Sequence, residues 1–226
     1  MTPTSALYFA AGLGTRMRPL SDNTPKPLIK VAGKTLLDHA LAIGTEARVK
    51  TNVVNIHYLA DQVRAHLSDA EIVFSDETSA LLETGGGLKH ARPLLGNDPV
   101  FTMNTDAVWT RPNPFQTLAS AWDPSKMQAL LLLVPVENAL GYSGVGDFEH
   151  LPDGRIQRGP GQVYTGAQII NPSILDGFSD GSFSLNLVWD QLLRDRTIFG
   201  VTYTGKWCDV GQPDSIPLAE TLIENS

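Results

Sequence analysis

Short apolar runs alternate with stretches of helical period through the first 136 residues of the chain, and this alternation restricts the fold more than any other feature. Ala6 to Ala10, Asn52 to His57, Glu71 to Phe74, Val100 to Asn104 and Ala129 to Val136 read as strands. Between them, Thr35 to Ile43, Leu59 to His66, Thr84 to Leu94 and Pro114 to Trp122 read as helices. Repeated strand–helix units of this kind predict an α/β fold, a mainly parallel sheet covered by helices. After Pro135 the texture changes. Gly141 to Gly146 is glycine-rich, and Asp153-Gly154 between two alternating stretches predicts a hairpin. Val163 to Ile170 and Ile198 to Tyr203 then read as strands, Leu185 to Arg196 and Ile216 to Asn225 as helices. No internal repeat and no Pro-, Gly- or Ser-rich linker divides the chain, so residues 1–226 are expected to form one domain with a β-rich insertion toward the C-terminal half.

Composition removes several function classes. The chain carries 17 Lys and Arg against 24 Asp and Glu, a net charge of −7 at pH 7, which argues against a nucleic-acid partner. An apolar fraction of 42% excludes intrinsic disorder. The longest apolar run, Ala129 to Val136, is broken by Pro135 and falls far short of the roughly 20 residues of a membrane span. Met1 to Ser5 has no basic residue ahead of its apolar stretch, so no signal peptide is expected. A single cysteine, Cys208, excludes an internal disulfide and a Cys-based zinc site; it fits a cytoplasmic protein and is expected to pack in the interior. The five histidines show no metal-ligand spacing.

The charge is unevenly spread. Residues 1–34 hold five bases (Arg16, Arg18, Lys26, Lys30 and Lys34) and one acid, Asp22. Such a segment on an acidic chain is either a solvated basic loop or the seat of a small anionic ligand. Ala10-Ala11-Gly12-Leu13-Gly14-Thr15-Arg16 follows the first strand directly. Its small residues let backbone N–H groups turn inward toward phosphate oxygens, and Arg16 adds a charged fork; the alternative is a plain glycine turn. The dinucleotide fingerprint is excluded, because Met17 stands where its third glycine belongs, and no Gly-Lys-Ser/Thr of a P-loop follows. In Thr24-Pro25-Lys26-Pro27 two prolines stiffen the backbone around a lysine and fix the direction of its ammonium, as a surface loop or a phosphate ligand would require. Asp106 lies just past an apolar strand, where open parallel sheets place ligand sites, and is either a cap or a ligand for a hard cation. Asp209 sits at another expected element end with the same two readings, and a cation would be needed to reconcile the two carboxylates. Gly85 and Gly86 open an expected helix, which leaves their N–H groups free for a base edge or an anion.

Taken together, the Gly12-Leu13-Gly14-Thr15-Arg16 run and the Pro25-Lys26-Pro27 lysine resemble the N-terminal signature of the sugar-1-phosphate nucleotidyltransferase family. The resemblance continues through Leu82-Glu83-Thr84-Gly85-Gly86-Gly87, similar to the family's base-binding loop, and Asn104-Thr105-Asp106 and Trp207-Cys208-Asp209-Val210-Gly211, similar to its two metal-carboxylate segments. Within the family the chain looks most like the short N-acetylmuramate 1-phosphate uridylyltransferases, from Arg16-Met17-Arg18-Pro19-Leu20, Gly146-Asp147-Phe148 and a length with little beyond a catalytic core.

What the resemblance implies is a Rossmann-like mixed sheet with a nucleotide-binding half over about residues 1–136 and a sugar-phosphate-binding half over about 137–226. It also implies Mg²⁺-dependent transfer of a nucleotidyl group, first of all from UTP, to a sugar 1-phosphate. Arg16 and Lys26 would be catalytic, Asp106 and Asp209 would hold the metal, and Ala10, Ala11, Gly12, Gly14, Thr15, Gly85 and Gly86 would bind the nucleotide. Gly144, Tyr164 and Thr165 would contact the sugar phosphate. The implied assembly is a monomer or weak homodimer. Open alternatives are mannose 1-phosphate with GTP, glucose 1-phosphate with dTTP, phosphocholine with CTP, and a non-catalytic nucleotide sensor. The chain departs from the family in two places. Where many members carry Glu-Lys-Pro it reads Gln157-Arg158-Gly159-Pro160, so Arg158 is either a replacement cation or an exposed hairpin arginine, and Gln212-Pro213 follows Gly211 where a threonine is usual.

Overall fold

The computed structural model describes residues 2–226. The chain runs β1 (Ser5–Phe9), a small hairpin of β2 (Lys30–Val31) and β3 (Lys34–Thr35), α1 (Leu36–Glu46), β4 (Thr51–Ile56), α2 (Ala60–His66), β5 (Val73–Asp76) and α3 (Glu83–Leu95). It continues through β6 (Val100–Asn104), β7 (Ala107–Trp109), α4 (Pro114–Ala121), β8 (Ala129–Pro135) and β9 (Ala139–Leu140). Last come β10 (Phe148–His150), β11 (Ile156–Arg158), β12 (Gln162–Ile170), α5 (Leu185–Arg194), β13 (Ile198–Thr202), β14 (Trp207–Asp209) and α6 (Ser215–Glu224).

A nine-stranded sheet crosses both halves of the chain. β5, β4, β1 and β6 lie parallel in that order. β12 is antiparallel to both β6 and β8, and β13 returns parallel to β8. β10 and β11 form the hairpin expected at Asp153-Gly154 and extend β12 at its N-terminal end. β8 shows why the apolar run at 129–135 is continuous: Leu130, Leu132 and Val134 face one core cluster while Ala129, Leu131 and Leu133 face the other. A strand covered on both faces has no solvent side to make polar. The first core lies under α1, α2 and α4, the second under α3 and α5, and a third, smaller cluster joins Met17, Ile29, Val31 and Leu36 to Val108, Cys208 and Val210.

Most expected elements are present with ends shifted by one to three residues. The run expected as a strand at Glu71 to Phe74 becomes Val73–Asp76, because residue 72 closes a turn on Ala70 and the pairing with β4 begins at Val53 opposite Val73. The elements without a sequence signal are all of three residues or fewer: β2 and β3, which pair as a hairpin, and β7, β9 and β14, which form a separate sheet in the order β7-β14-β9. No periodicity can be read over so short a span.

One irregularity shapes the site. β12 shifts register between Tyr164 and Gln168, and Gly166 within the shift has a φ of 84°. A Cβ there would lie 2.8 Å from the Cβ of Asn104, at the end of β6. Gly166→Ala therefore meets both left-handed strain and a collision with Asn104, and is expected to lower unfolding free energy by about 2 kcal/mol or more, measured by urea denaturation.

Candidate active site

The C-terminal ends of β1, β4, β5 and β6 open on one cleft of about 460 Å³. Open α/β sheets bind ligands at this edge because the connections there diverge to opposite faces. Ala10, Ala11, Gly12, Gly14, Thr15, Arg16, Lys26 and Asp106 all line it, joined by Asn55, Glu77, Leu81, Glu83, Thr84, Asn104, Ser184 and Gly211.

The loop after β1 is held from below. Asn55 Oδ1 accepts from the N–H groups of Ala10 (2.6 Å) and Ala11 (3.2 Å), and Asn55 Nδ2 donates to Glu77 Oε1 at 2.8 Å. Both side chains are buried, and burial raises the Glu77 carboxyl above its ordinary range. Beyond Ala11 the chain turns upward. Gly14 is left-handed (φ 63°), its carbonyl accepts from Ser21 Oγ at 2.7 Å, and a Cβ at this position would lie 2.9 Å from the Lys26 Cβ. The N–H groups of Gly12, Leu13 and Gly14 find no protein acceptor among the described residues, which leaves an open nest of donors. Ala10 and Ala11 therefore position this nest and do not donate into it, a change from the sequence expectation.

Arg16 stands in a 3-10 turn, Thr15–Met17, anchored by the fully buried Met17. Lys26 opens a second 3-10 turn between Pro25 and the buried Pro27, and its Nζ meets Asp106 Oδ2 at 2.8 Å. Thr105 Oγ1 donates to Phe9 O at 2.8 Å, fixing the β6 end to the β1 end. Asp209 reaches Asp106 through the small sheet: β14 pairs antiparallel with β7, Asp209 opposite Ala107, and the Val210 N–H donates to Asp106 O at 2.8 Å. Gly211 completes the packing, since a Cβ there would lie 2.8 Å from Asp209 Oδ2 and 3.3 Å from Arg16 Nη1.

The electrostatics follow from this placement. Burial first, and then the charge of Asp106, push the Asp209 carboxyl up to about 6, against the opposing pull of Lys26 and Arg16. The donor set is two carboxylates with no nitrogen or sulfur, which suits a hard divalent cation whose remaining positions go to phosphate oxygens and water. Among the described residues no group of three or more His, Cys, Asp and Glu could hold an ion by itself. Cys208 is buried next door and its thiol is pushed up to about 11, so it packs and does not react.

Gly85 and Gly86 are placed differently from expectation. Both N–H groups donate to Phe183 O (2.8 and 3.0 Å), and neither glycine lines the cleft. The close approach of the 181–183 segment requires the missing side chains, a Cβ at Gly85 falling 2.5 Å from the Phe183 ring. From this stretch the cleft is instead lined by Leu81, Glu83 and Thr84, with Glu83 in a left-handed conformation (φ 58°).

A smaller cavity of about 330 Å³ adjoins the cleft and shares Thr84, Asn104 and Ser184 with it. Tyr164 lines it, its ring edge-on to Trp189 at 4.7 Å. Thr165 does not: its buried hydroxyl donates to Leu132 O at 2.7 Å. Gly144 lies in an exposed loop and lines neither space. Asn55 and Glu77 had no motif to announce them; the available signal was a polar residue at the end of each apolar strand, in Val54-Asn55-Ile56 and Ser75-Asp76-Glu77.

A donor nest, two cations and two carboxylates at the C-terminal edge of a mixed sheet, with a second cavity opening beside them, define a nucleotidyltransferase. The chain belongs to the MobA-like NTP transferase domain family, whose model matches residues 6–141. It is 43% identical to an N-acetylmuramate alpha-1-phosphate uridylyltransferase of Caulobacter vibrioides, over 98% of this chain and 97% of that protein. It is 37% identical to a protein of the same description from Neisseria meningitidis, over 96% and 97% of the two chains. In fold it superimposes on HddC from Yersinia pseudotuberculosis, solved with GMP-PN, with a TM-score of 0.79 at 20% identity over 97% of this chain and 99% of that one.

Two outcomes are expected from this geometry. Asn55→Leu removes the acceptor for two buried N–H groups and should cost about 2 kcal/mol in urea unfolding. For Asp209 the sign is set by a folded-state pKa of about 6, above the roughly 3.9 of an unfolded aspartate. The metal-free fold therefore retains a proton that the unfolded chain gives up, so stability at this residue falls as pH rises from about 4 to about 6. At pH 7.5 Asp209→Asn should raise the metal-free unfolding midpoint by about 2–4 °C and abolish any upward shift on adding Mg²⁺, read by thermal denaturation.

Proposed function

We propose that the chain transfers a uridylyl group from UTP to N-acetylmuramate α-1-phosphate, releasing pyrophosphate. The observation that carries the reaction type is the convergence of Arg16, Lys26, Asp106 and Asp209 around the open nest of Gly12 to Gly14. The choice of base and sugar is supported by the two relatives of that description, which match nearly the whole chain.

An oxygen of the sugar phosphate attacks the α-phosphorus, the bond to the bridging oxygen breaks, and its electron pair leaves with pyrophosphate. The nucleophile is already an anion, so no side chain need take its proton and no covalent intermediate is required. What remains is positioning and neutralisation of charge. Lys26, fixed by its two prolines, brings the attacking phosphate and the α-phosphate together. Arg16 neutralises the leaving pyrophosphate, and the N–H groups of Gly12 to Gly14 receive phosphate oxygens. Asp106 and Asp209 would hold Mg²⁺, which would supply positive charge to offset that of the phosphate oxygens. The smaller cavity takes the sugar. The reading places the protein in the cytoplasm as a monomer or weak dimer, returning a cell-wall sugar to the nucleotide-sugar pool. Among the described residues no helix is long and apolar enough to cross a membrane.

Pyrophosphate release measured across UTP, dTTP, GTP, CTP and ATP, against N-acetylmuramate, N-acetylglucosamine, glucose and mannose 1-phosphates and phosphocholine, should peak at UTP with N-acetylmuramate 1-phosphate. A peak at GTP with mannose 1-phosphate would move the chain to another branch of the reaction, and silence from folded protein would favour a sensor. Lys26→Ala and Asp106→Asn should each lower kcat by about 10²-fold or more, and near-normal turnover in either variant would remove that residue from the mechanism.

A further inference from the structure

We propose that Arg158 reads a carboxylate on the sugar, so that the smaller cavity selects an acidic sugar 1-phosphate over its neutral counterpart. The inference rests on the reaction proposed above and adds the group that discriminates between acceptors.

Arg158 is the only cation among the residues that line this cavity. The cavity's one acid, Asp147, is already engaged, its Oδ2 accepting the Tyr164 N–H at 2.8 Å. The guanidinium is flanked by two aromatic rings. It lies 4.8 Å from the centroid of the Phe148 ring, its cross-strand partner, and 5.8 Å from that of Trp189. Phe148 and Trp189 themselves pack edge-on at 6.1 Å. Stacking on aromatic faces leaves the in-plane N–H groups of an arginine directed outward, where a carboxylate can meet them. The protein acceptors found for Arg158, Asn186 Oδ1 at 2.8 Å and Asp190 Oδ1 at 3.0 Å, both meet Nη2. Nε and Nη1 have no protein acceptor among the described residues.

The plainer account is an ion pair that latches the β10–β11 hairpin to α5. Both partners of that pair are partly solvated, with side chains 40% and 46% exposed, and pairs of this kind contribute about 1 kcal/mol or less. Asp190 does not line the cavity, whereas Arg158 does. N-acetylmuramate differs from N-acetylglucosamine by one 3-O-lactyl ether, and that ether ends in a carboxylate. An anion remote from the reacting phosphate contributes uniform binding, which appears in KM more than in kcat.

The test compares N-acetylmuramate 1-phosphate, its lactyl methyl ester and N-acetylglucosamine 1-phosphate, each with the preferred nucleotide, in the wild type, Arg158→Gln, Arg158→Lys and Asp190→Asn. In Arg158→Gln the ratio of kcat/KM for the acidic sugar over the neutral one should fall about 10- to 100-fold, carried by KM. Arg158→Lys should recover part of it, Asp190→Asn should keep the wild-type ratio, and the wild type should disfavour the methyl ester. Equal losses for acidic and neutral sugars in Arg158→Gln would mean that Arg158 serves the shared phosphate, and would overturn the proposal. So would matching effects of Arg158→Gln and Asp190→Asn on both kinetics and unfolding midpoint, which would make the pair a latch. A wild type that accepts both sugars equally removes the discrimination while leaving nucleotidyl transfer intact. A wild type that accepts no sugar 1-phosphate removes the proposed function itself.

Discussion

Two carboxylates, Asp106 and Asp209, are forced together by the antiparallel pairing of β7 with β14, and the rest of the site answers that repulsion. Lys26 lies against one carboxylate, and Arg16 approaches the other beside Gly211. Bringing like charges together in a half-buried place costs free energy, which shows in the raised Asp209 carboxyl. The scaffold tolerates this because each charged residue is borne on a rigid element. Met17 is locked in the small third core, Lys26 lies between two prolines, and Thr105 is tied to the end of β1.

The larger cleft and the smaller cavity are joined through β6 and β12. Asn104 ends β6 and lines both spaces, and Gly166 makes room for it where β12 slips register. The same slip lets Tyr164 pair with Leu133 and line the smaller cavity while Gln168 pairs with Thr102 in the sheet interior. Segment 181–185 closes the arrangement from α5. Phe183 bonds to Leu82, Gly85 and Gly86, and the Leu185 N–H donates to Thr84 Oγ1 at 3.0 Å. The turn that opens α3 and the start of α5 are therefore one hydrogen-bonded unit.

What could be read from the sequence, and what could not, divides along a physical line. The βα alternation, the Gly12–Arg16 loop, the Pro-flanked Lys26 and the ends of the long strands were legible, because each is a local pattern: an apolar period, a backbone freedom or a fixed φ set by a few adjacent residues. Asp106 and Asp209 were individually visible as strand-end acids, yet nothing in a linear pattern brings positions so far apart into contact. That pairing depends on strands too short to show a period. Asn55 and Glu77 stayed hidden for a related reason. A buried amide and carboxylate are meaningful only once it is known which backbone N–H groups they face, and Asn55 faces Ala10 and Ala11 from another strand.

The roles of Gly85, Gly86 and Thr165 show the same boundary from the other side. The sequence by itself offered two glycines whose N–H groups read as free for a base edge or an anion, and tertiary structure decided that the positions are small because Phe183 approaches closely, with both N–H groups already bonded to its carbonyl. Thr165 sits on the strand that lines the smaller cavity, but alternation along β12 turns its hydroxyl into the sheet and Tyr164 outward. Arg158 could be read only as a departure from a motif until the fold set it on Phe148 and Trp189 at the cavity wall. Local backbone preferences are written in adjacent residues. Which charges, donors and rings converge is decided by long-range strand register, which the chain acquires only when the whole sheet closes.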